Sequence, residues 1–560
     1  MKGRILVVLL CLLFSSQNSL AIDNGEFDEA NGKIKMEIVN VTDGAMLSEI
    51  MGKQITNTHY IIRHEHDLSR YDGGLVIGNN CTLEFKKGGF KNGKIKCMNI
   101  TIKGRKPLFV DTYIEIEDAD NIYIQNVNAA YSYAVDDFLK VYQSKNIIIE
   151  GVKVVFDSDH RQLANGDYIE AEGFDLTRCQ NVSIERCSIV NSKSHYADSE
   201  HGSLACKECN NVTVNGCYSS GGHNEIFNFI RCKNVAITNT EVEDGHGSAI
   251  ATQGGEGFVI ENCKALNVLA SGFSLNSKRI RISNCIAKDW HEFNGITLGH
   301  PADGARASDV VVSNCKLLLS DNRDSHKKCA FGGVVDGTVV ISNCQTRTGR
   351  ICSFDGVYRG QDVSLTFDNN YFNCFEGDTF AETFRASGIL DLAVSHNTFI
   401  GNANITGFIK KKEGGQPSNW RINSNRFKKL KNVAIIPPGV KDNTSEGVFE
   451  FSNNVIENID VTTIRYYSGR ESTTNELIAI PGYARRIIYG NQIKKVKGSE
   501  IVLFKSSASE GLETLFEENL INSANVKDVL DLSTSQIRED AQIKIKNNKL
   551  LKGARIKSLL

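Results

Sequence analysis

Hydrophobic and polar residues alternate in short runs along most of this chain. Val182 and Ile184 are interleaved with Ser183 and Glu185, Val212 and Val214 with Thr213 and Asn215, and Ile280 and Ile282 with Arg281 and Ser283. A period of two is the pattern of a strand with one buried face. Each run leads through two turn-type residues into a cysteine: Glu185-Arg186-Cys187, Asn215-Gly216-Cys217, Glu261-Asn262-Cys263, Ser283-Asn284-Cys285, Ser313-Asn314-Cys315 and Ser342-Asn343-Cys344. Thr240 takes the cysteine position after Thr238-Asn239, and the steps between equivalent positions are 30, 23, 23, 22, 30 and 29 residues. A fixed motif at such a period predicts a solenoid.

Beyond Cys344 the same position is held by Asn370, Asn397, Asn425, Asn454, Asn491, Asn519 and Asn548, at steps of 26 to 29 residues apart from one of 37 before Asn491. Asn and Gly tolerate positive φ better than other residues. A two-residue corner with its second residue left-handed would return the Cys or Asn, and the residue two further on, to the inner side. Stacked interior asparagines could then relay hydrogen bonds from rung to rung. The expectation is an all-β fold, a single-stranded parallel β-helix over 76–560. Residues 22–75 read as an N-terminal lead or cap that covers the first strand edge, with a short helix over 45–51.

Composition narrows the partners. The chain has 560 residues, 41% apolar, and a net charge of −2, a balance that calls for neither nucleic acid nor an anionic membrane. Lys2 and Arg4, the apolar run from Ile5 to Phe14 and Ser19-Leu20-Ala21 read as a secretory signal peptide, 1–21, cleaved near Ala21. The mature chain is then expected to be secreted, periplasmic or at the cell surface. The apolar run is too short to span a bilayer, and no transmembrane segment is expected. An oxidising compartment raises the question of the 16 cysteines. Their spacing follows the repeat, which favours stacked buried thiols, with one or more bridges left open. Rungs about 4.8 Å apart bring the cysteines close, but parallel Cβ vectors suit a bridge poorly. Cys206-Lys207-Glu208-Cys209 has no second pair at zinc-site spacing.

This pattern resembles the right-handed parallel β-helix of the pectate-lyase-like superfamily, over roughly residues 75 to 550. The right hand of the winding comes from that resemblance and not from the spacing. Gly245-His246-Gly247 also looks like the Gly-His-Gly motif of polygalacturonase-type glycoside hydrolases. Where that family has an Asp-Asp pair one coil earlier, this chain has Asn224-Glu225. Where it has a further Asp another coil back, this chain has Ser203, and Ser274-Leu275-Asn276 stands near the place of its Arg-Ile-Lys. His246 carries over, and more loosely Glu225.

Histidine is the most informative residue for chemistry. Of 12, seven lie between positions 195 and 326. His201, His223 and His246 are 22 and 23 residues apart, one rung each, and are expected to stack on one face. Asp198, Glu200, Glu225, Glu243 and Asp244 accompany them. Later coils add Lys278, then Trp290-His291-Glu292 and an excursion from His300 to Arg306. Such a convergence of polar, cationic and aromatic groups on a few rungs reads as a shallow groove. Stacked polar residues that merely suit a turn are the plainer alternative.

The expected function is secreted carbohydrate chemistry, hydrolysis of a polysaccharide by a monomeric protein. A hydrolase needs one protonated and one ionised carboxyl. Glu225 and Asp244 are the candidate pair, tuned by His246 and His223, with His201, Asp198, Lys278, His291, His300 and Arg306 as substrate contacts. Two alternatives stay open. A lyase acting on a uronate glycan would use Lys278 or His246 as base; no cofactor is expected otherwise, but Asp198, Glu200 and Glu225 could then hold Ca²⁺. A non-catalytic glycan-binding rod would use aromatics such as Trp420, Tyr466, Tyr467 and Tyr483.

Overall fold

The computed structural model describes residues 36–43, 47–51, 56–131, 137–156, 173–190, 202–222, 225–300, 306–320, 328–356, 363–374, 384–387, 389, 391–402, 405–408, 419–431, 435–436, 445–460, 464–465, 471–472, 476–480, 483–497, 501–506, 513–523, 526–532, 542–550 and 555–557. The leader at 1–21 lies outside them, as do Tyr466 and Tyr467.

The chain is a parallel β-solenoid with three strands in most coils. Sheet 1 contains Phe174–Thr177, Leu204–Lys207, Phe227–Ile230, residues 250–253 and 273–276, and Asn294–Leu298. Sheet 2 contains Gln180–Glu185, Asn210–Asn215, Lys233–Thr238, residues 256–261 and 278–283, and Ala307–Ser313. Sheet 3 contains Ser188–Val190, Tyr218–Ser220, Glu241–Glu243, Lys264–Leu266 and Ile286–Lys288. Sheet 2 shows the register best: Val182, Val212, Val235, Phe258, Ile280, Val310 and Val339 pair in unbroken succession. All seven are buried, so the alternation reads directly as inside and outside. Strand–crossover–strand connections between parallel strands strongly favour the right-handed winding.

Parallel pairing begins earlier than 76. Glu37–Val41 pairs with Thr58–Ile62, which pairs with Cys81–Phe85. Between the first two lies the helix Leu47–Ile50, which puts Leu47 and, just beyond it, Met51 into the core. No helix among the described residues is long and apolar enough to cross a membrane.

The corner from sheet 2 to sheet 3 explains the repeat. Arg186, Asn239, Asn262, Asn284, Asn314 and Asn343 all sit at φ between 51° and 55°. The residue that follows points inward, and its backbone N–H has no strand partner. The side chain one rung further on accepts it. Cys263 N–H donates to Cys285 Sγ at 3.4 Å, Cys217 N–H to Thr240 Oγ1 at 3.4 Å, and Cys344 N–H to Asn370 Oδ1 at 2.8 Å. Two of these side chains donate back to the preceding rung, Cys285 Sγ–H to Ile260 O and Asn370 Nδ2 to Ile341 O. Cys and Asn both serve here because each is small and carries both a donor and an acceptor.

From Asn370 onward the amides add a third link. Each Nδ2 donates to the next Oδ1 at 2.9 to 3.1 Å through Asn397, Asn425, Asn454, Asn491, Asn519 and Asn548. The cysteines are the stacked thiols the spacing suggested. All described cysteines are buried and unbridged, and Cys206 and Cys209 point into the core among them. Burial pushes the Cys97 and Cys374 thiols up. Hydrogen bonds with Cys263 and Cys315, then burial, do so for Cys285.

Two outcomes follow. Asn425→Ala deletes four ladder bonds and leaves the Asn397 N–H and amide without their acceptor. It is expected to cost about 3 kcal/mol in chemical denaturation, and Asn425→Cys is expected to recover part of that. His66 is buried against Phe90 in the first coils, and burial, with His64 adding to it, lowers its pKa below 6.5. A lowered histidine pKa means the unfolded chain takes up the proton first. The stability contributed is therefore present above about 6.5 and lost as pH falls through the folded value. Protection factors against hydrogen exchange in residues 58–110, which allow for the slower intrinsic exchange at low pH, are expected to fall between pH 7.5 and pH 5.5 in the native chain, and not in His66→Phe.

Candidate functional site

Coil length decides where a site can form. The corner from sheet 2 to sheet 3 never exceeds a tight turn, so variation in length falls at the two corners that flank sheet 1. Sixteen residues separate Phe156 from Gly173, and twelve separate Val190 from Ser203. The rungs that follow, through Leu298, advance by only 22 or 23 residues and carry no such insertion. Longer connections return at 299–306 and 319–328. Sheet 1 thus has a stretch of short coils between longer ones; Glu225, Asp244, His246, Lys278 and His291 belong to it, and His300 and Arg306 lie in the longer connection that ends it.

They divide into two rims. The corner from sheet 3 into sheet 1 carries Glu225, Asp244, His246 and His291. Glu225, Asp244 and His246 are half-buried, and His291 is exposed. The corner from sheet 1 into sheet 2 carries exposed Lys278 and Arg306 and half-buried His300. Five strand residues separate the rims, about 16 Å at strand rise. Lys278 therefore stands across the sheet from His246 and is not its neighbour. His201, Asp198, Glu200 and His223 lie outside the described residues, and so does the stacking expected of His201 and His223.

The first rim is built on another left-handed corner. Gly221, Asp244, Asn267 and Asp289 occupy successive rungs at φ of 73°, 53°, 51° and 56°, which favours Gly, Asp and Asn. Backbone bonds lock the segment: His246 N–H donates to Gly222 O at 2.8 Å, and Leu269 N–H to Gly245 O at 2.8 Å. Gly245 has a packing reason, since a Cβ there would lie 2.9 Å from Ile226 Cγ1. The side chains link along the rim. Asn267 Nδ2 donates to Asp244 Oδ1 at 2.7 Å, and His291 Nε2 donates to Asn267 Oδ1 at 2.9 Å. One amide thus couples a carboxylate to an imidazole two rungs away. Asp289 is taken up locally by Ser320 N–H and Oγ–H.

Three aromatic expectations need correction or addition. Trp290 and Trp420 are fully buried: Trp290 fills the interior beside Gly295 and Trp420 takes an inner position of sheet 2 between Leu392 and Phe449. Neither is a groove wall. The strand Tyr483–Tyr489 is in place, but the Tyr483 side chain is outside the described set. Phe293 had no place among the expected residues, yet it is 45% exposed and meets the His300 ring edge-on at 5.9 Å. Asn267 was also missed. Its signal was register, for it is the rung equivalent of Asp244 and Asp289. Among the described residues no cluster of His, Cys, Asp and Glu is arranged to hold a metal.

No protein-family model matches the chain, and no curated protein matches it in sequence. Solved structures with similar winding include the catalytic domain of a GH87 α-1,3-glucanase in complex with tetrasaccharides. The two are 12% identical with a TM-score of 0.34, covering 72% of this chain and 66% of that one. The tailspike protein of Escherichia coli bacteriophage HK620, in complex with a pentasaccharide, is 11% identical with a TM-score of 0.37, covering 75% of each chain. Both structures hold a bound oligosaccharide.

Asn267→Ala cuts both links of the rim. The bonds are at the surface, so the expected loss of stability is no more than about 1 kcal/mol. The His291 Nε2–H, visible in proton–nitrogen correlation spectra of the native chain, is expected to exchange faster with solvent in this variant.

Proposed function

We propose that the chain is a secreted protein that hydrolyses a polysaccharide laid across the short coils of sheet 1. The observation that carries this reading is the rim itself: Glu225, Asp244, His246 and His291 share one edge of a stretch of short coils, with Asp244 and His291 joined through Asn267. Two carboxyl groups flanking a glycosidic bond suffice for its hydrolysis, one giving a proton to the leaving oxygen and the other activating water or attacking the sugar. Glu225 is assigned the acid and Asp244 the ionised partner. His291 orients Asp244 through Asn267, and His246 stands beside them on the same rim.

The test uses the full chain recovered from the culture medium, whose intact mass is expected to start near Ile22. A panel of polysaccharides is digested and the products are read by mass spectrometry. Glu225→Gln and Asp244→Asn are each expected to reduce release of new reducing ends by about 100-fold or more, with binding retained. Products carrying an unsaturated uronate would assign a lyase instead. Binding without any shortening of the glycan would leave a glycan-binding rod and remove both enzymatic readings.

A further inference from the structure

The outward face of sheet 1 between the two rims has a chemistry of its own. Strand alternation turns Asn228, Ala251, Ser274 and Thr297 away from the core in one row, because Phe227, Phe229, Ile250, Phe273, Leu275, Ile296 and Leu298 fill the inside; Asn228 and Ser274 are half-buried, and Ala251 and Thr297 are covered. That row contains no charge. The nearest charge along it is Asp175, two rungs before Asn228, and Lys207 Nζ lies 3.6 Å from it. The side-chain oxygens of Asn228 and Asn276 are buried without a hydrogen-bond partner. Asn276 is itself only 8% exposed. Two such orphan acceptors on one strip cost stability unless a ligand or water completes them.

An aromatic wall stands at the end of this strip. Phe293 and His300 flank Asn294–Leu298 at its opposite ends, and their rings still meet at 5.9 Å. The interior is occupied by Ile296 and Leu298, so the two side chains must fold over the outward face of that strand. Below them Thr297 Oγ1 is held by Ser271 Oγ at 2.7 Å and by Asn294 Nδ2 at 3.1 Å. Phe293 keeps 45% of its surface open.

We infer that this strip is a subsite for an uncharged, hydroxyl-rich sugar segment, stacked on Phe293 and hydrogen-bonded by the Asn228 and Asn276 amides. This deepens the glycan-hydrolysing reading and rests on it. An amide offers a donor and an acceptor, which matches a hydroxyl, itself both. A uronate carboxylate only accepts, and the row from Asn228 to Thr297 holds no cation to balance it, Lys278 standing outside it on the rim. Asn228 and Asn276 lie two rungs and two residues apart, about 12 Å, so they contact different sugars of one oligosaccharide. An exposed aromatic ring supplies the flat apolar surface on which the CH face of a pyranose rests. The protein therefore selects a neutral glycan at this position.

The experiment measures binding of the full chain to two sets of oligosaccharides, neutral hexose or pentose oligomers and uronate oligomers, in native protein, Phe293→Ala, Phe293→Trp and Asn228→Asp. Neutral oligomers are expected to bind. Phe293→Ala is expected to weaken that binding by about tenfold, the loss of one good stacking contact, with unchanged melting temperature because the ring is exposed. Phe293→Trp is expected to keep the affinity. Asn228→Asp puts a charge on the floor and is expected to weaken neutral binding while leaving the fold intact by circular dichroism. Preferential binding of uronate oligomers, or neutral binding indifferent to Phe293→Ala, overturns the inference while glycan action stands. Binding of neither set, together with no digestion of any polysaccharide, overturns the glycan reading itself.

Discussion

The whole solenoid hangs on one inward-facing N–H per coil. A left-handed residue at the corner between sheets 2 and 3 turns the chain sharply, and the next peptide N–H is directed away from the strand ladder. Left alone inside, it would carry the full penalty of an unpaired buried donor. Accepting it with the side chain of the following rung binds each coil to its successor at the point where the sheets are interrupted. The position must be small, must accept, and gains if it also donates. Cys285, Thr240 and Asn370 meet the first two requirements by different chemistry. That is why the sequence can change from sulfur to amide at Cys344–Asn370 with no change of register.

The residue two places further on is small after Cys217 to Cys285 and aromatic after Asn370 to Asn425. In the short coils it is Ser219, Val242, Ala265 and Ala287, and the interior is completed from the sheet 1 side by Ile226, Val268 and Trp290. In the longer coils it is Phe372, Phe399 and Phe427, whose rings stack at 5.1 and 4.9 Å. A short coil has a narrow cross-section and takes small inner residues. It also lacks the residues to build loops over sheet 1. Small interior groups and short corners beside sheet 1 are two results of the same shortness.

Much of this was legible because rung spacing converts sequence distance into position. Period two assigned inside and outside, the turn pairs located the corner, and the Cys and Asn series gave the register. The site was less legible for reasons tied to particular residues. Lys278 and His246 belong to neighbouring coils, but a full strand width parts them, and sequence proximity carries no sense of which end of a strand a residue occupies. Trp290 and Trp420 read as surface aromatics because a bulky side chain at a corner or strand can turn either way, and packing alone turned them in. Asn267 was overlooked because a neutral amide draws no notice in a search for acids and bases, although its left-handed corner predicted an Asp or Asn there.

The 37-residue step between Asn454 and Asn491 shows what this construction permits. It contains a separate antiparallel pair, Ile464–Arg465 with Glu471–Ser472, yet Asn454 and Asn491 remain bonded at 3.0 and 3.1 Å. The ladder does not register what is inserted elsewhere in its coil. Stability and surface chemistry are therefore separately heritable in this molecule: one corner preserves the scaffold, while the two corners beside sheet 1 are free to lengthen, shorten and diversify. A lineage could change the sugar it handles by editing those segments alone, without passing through an unfolded intermediate sequence.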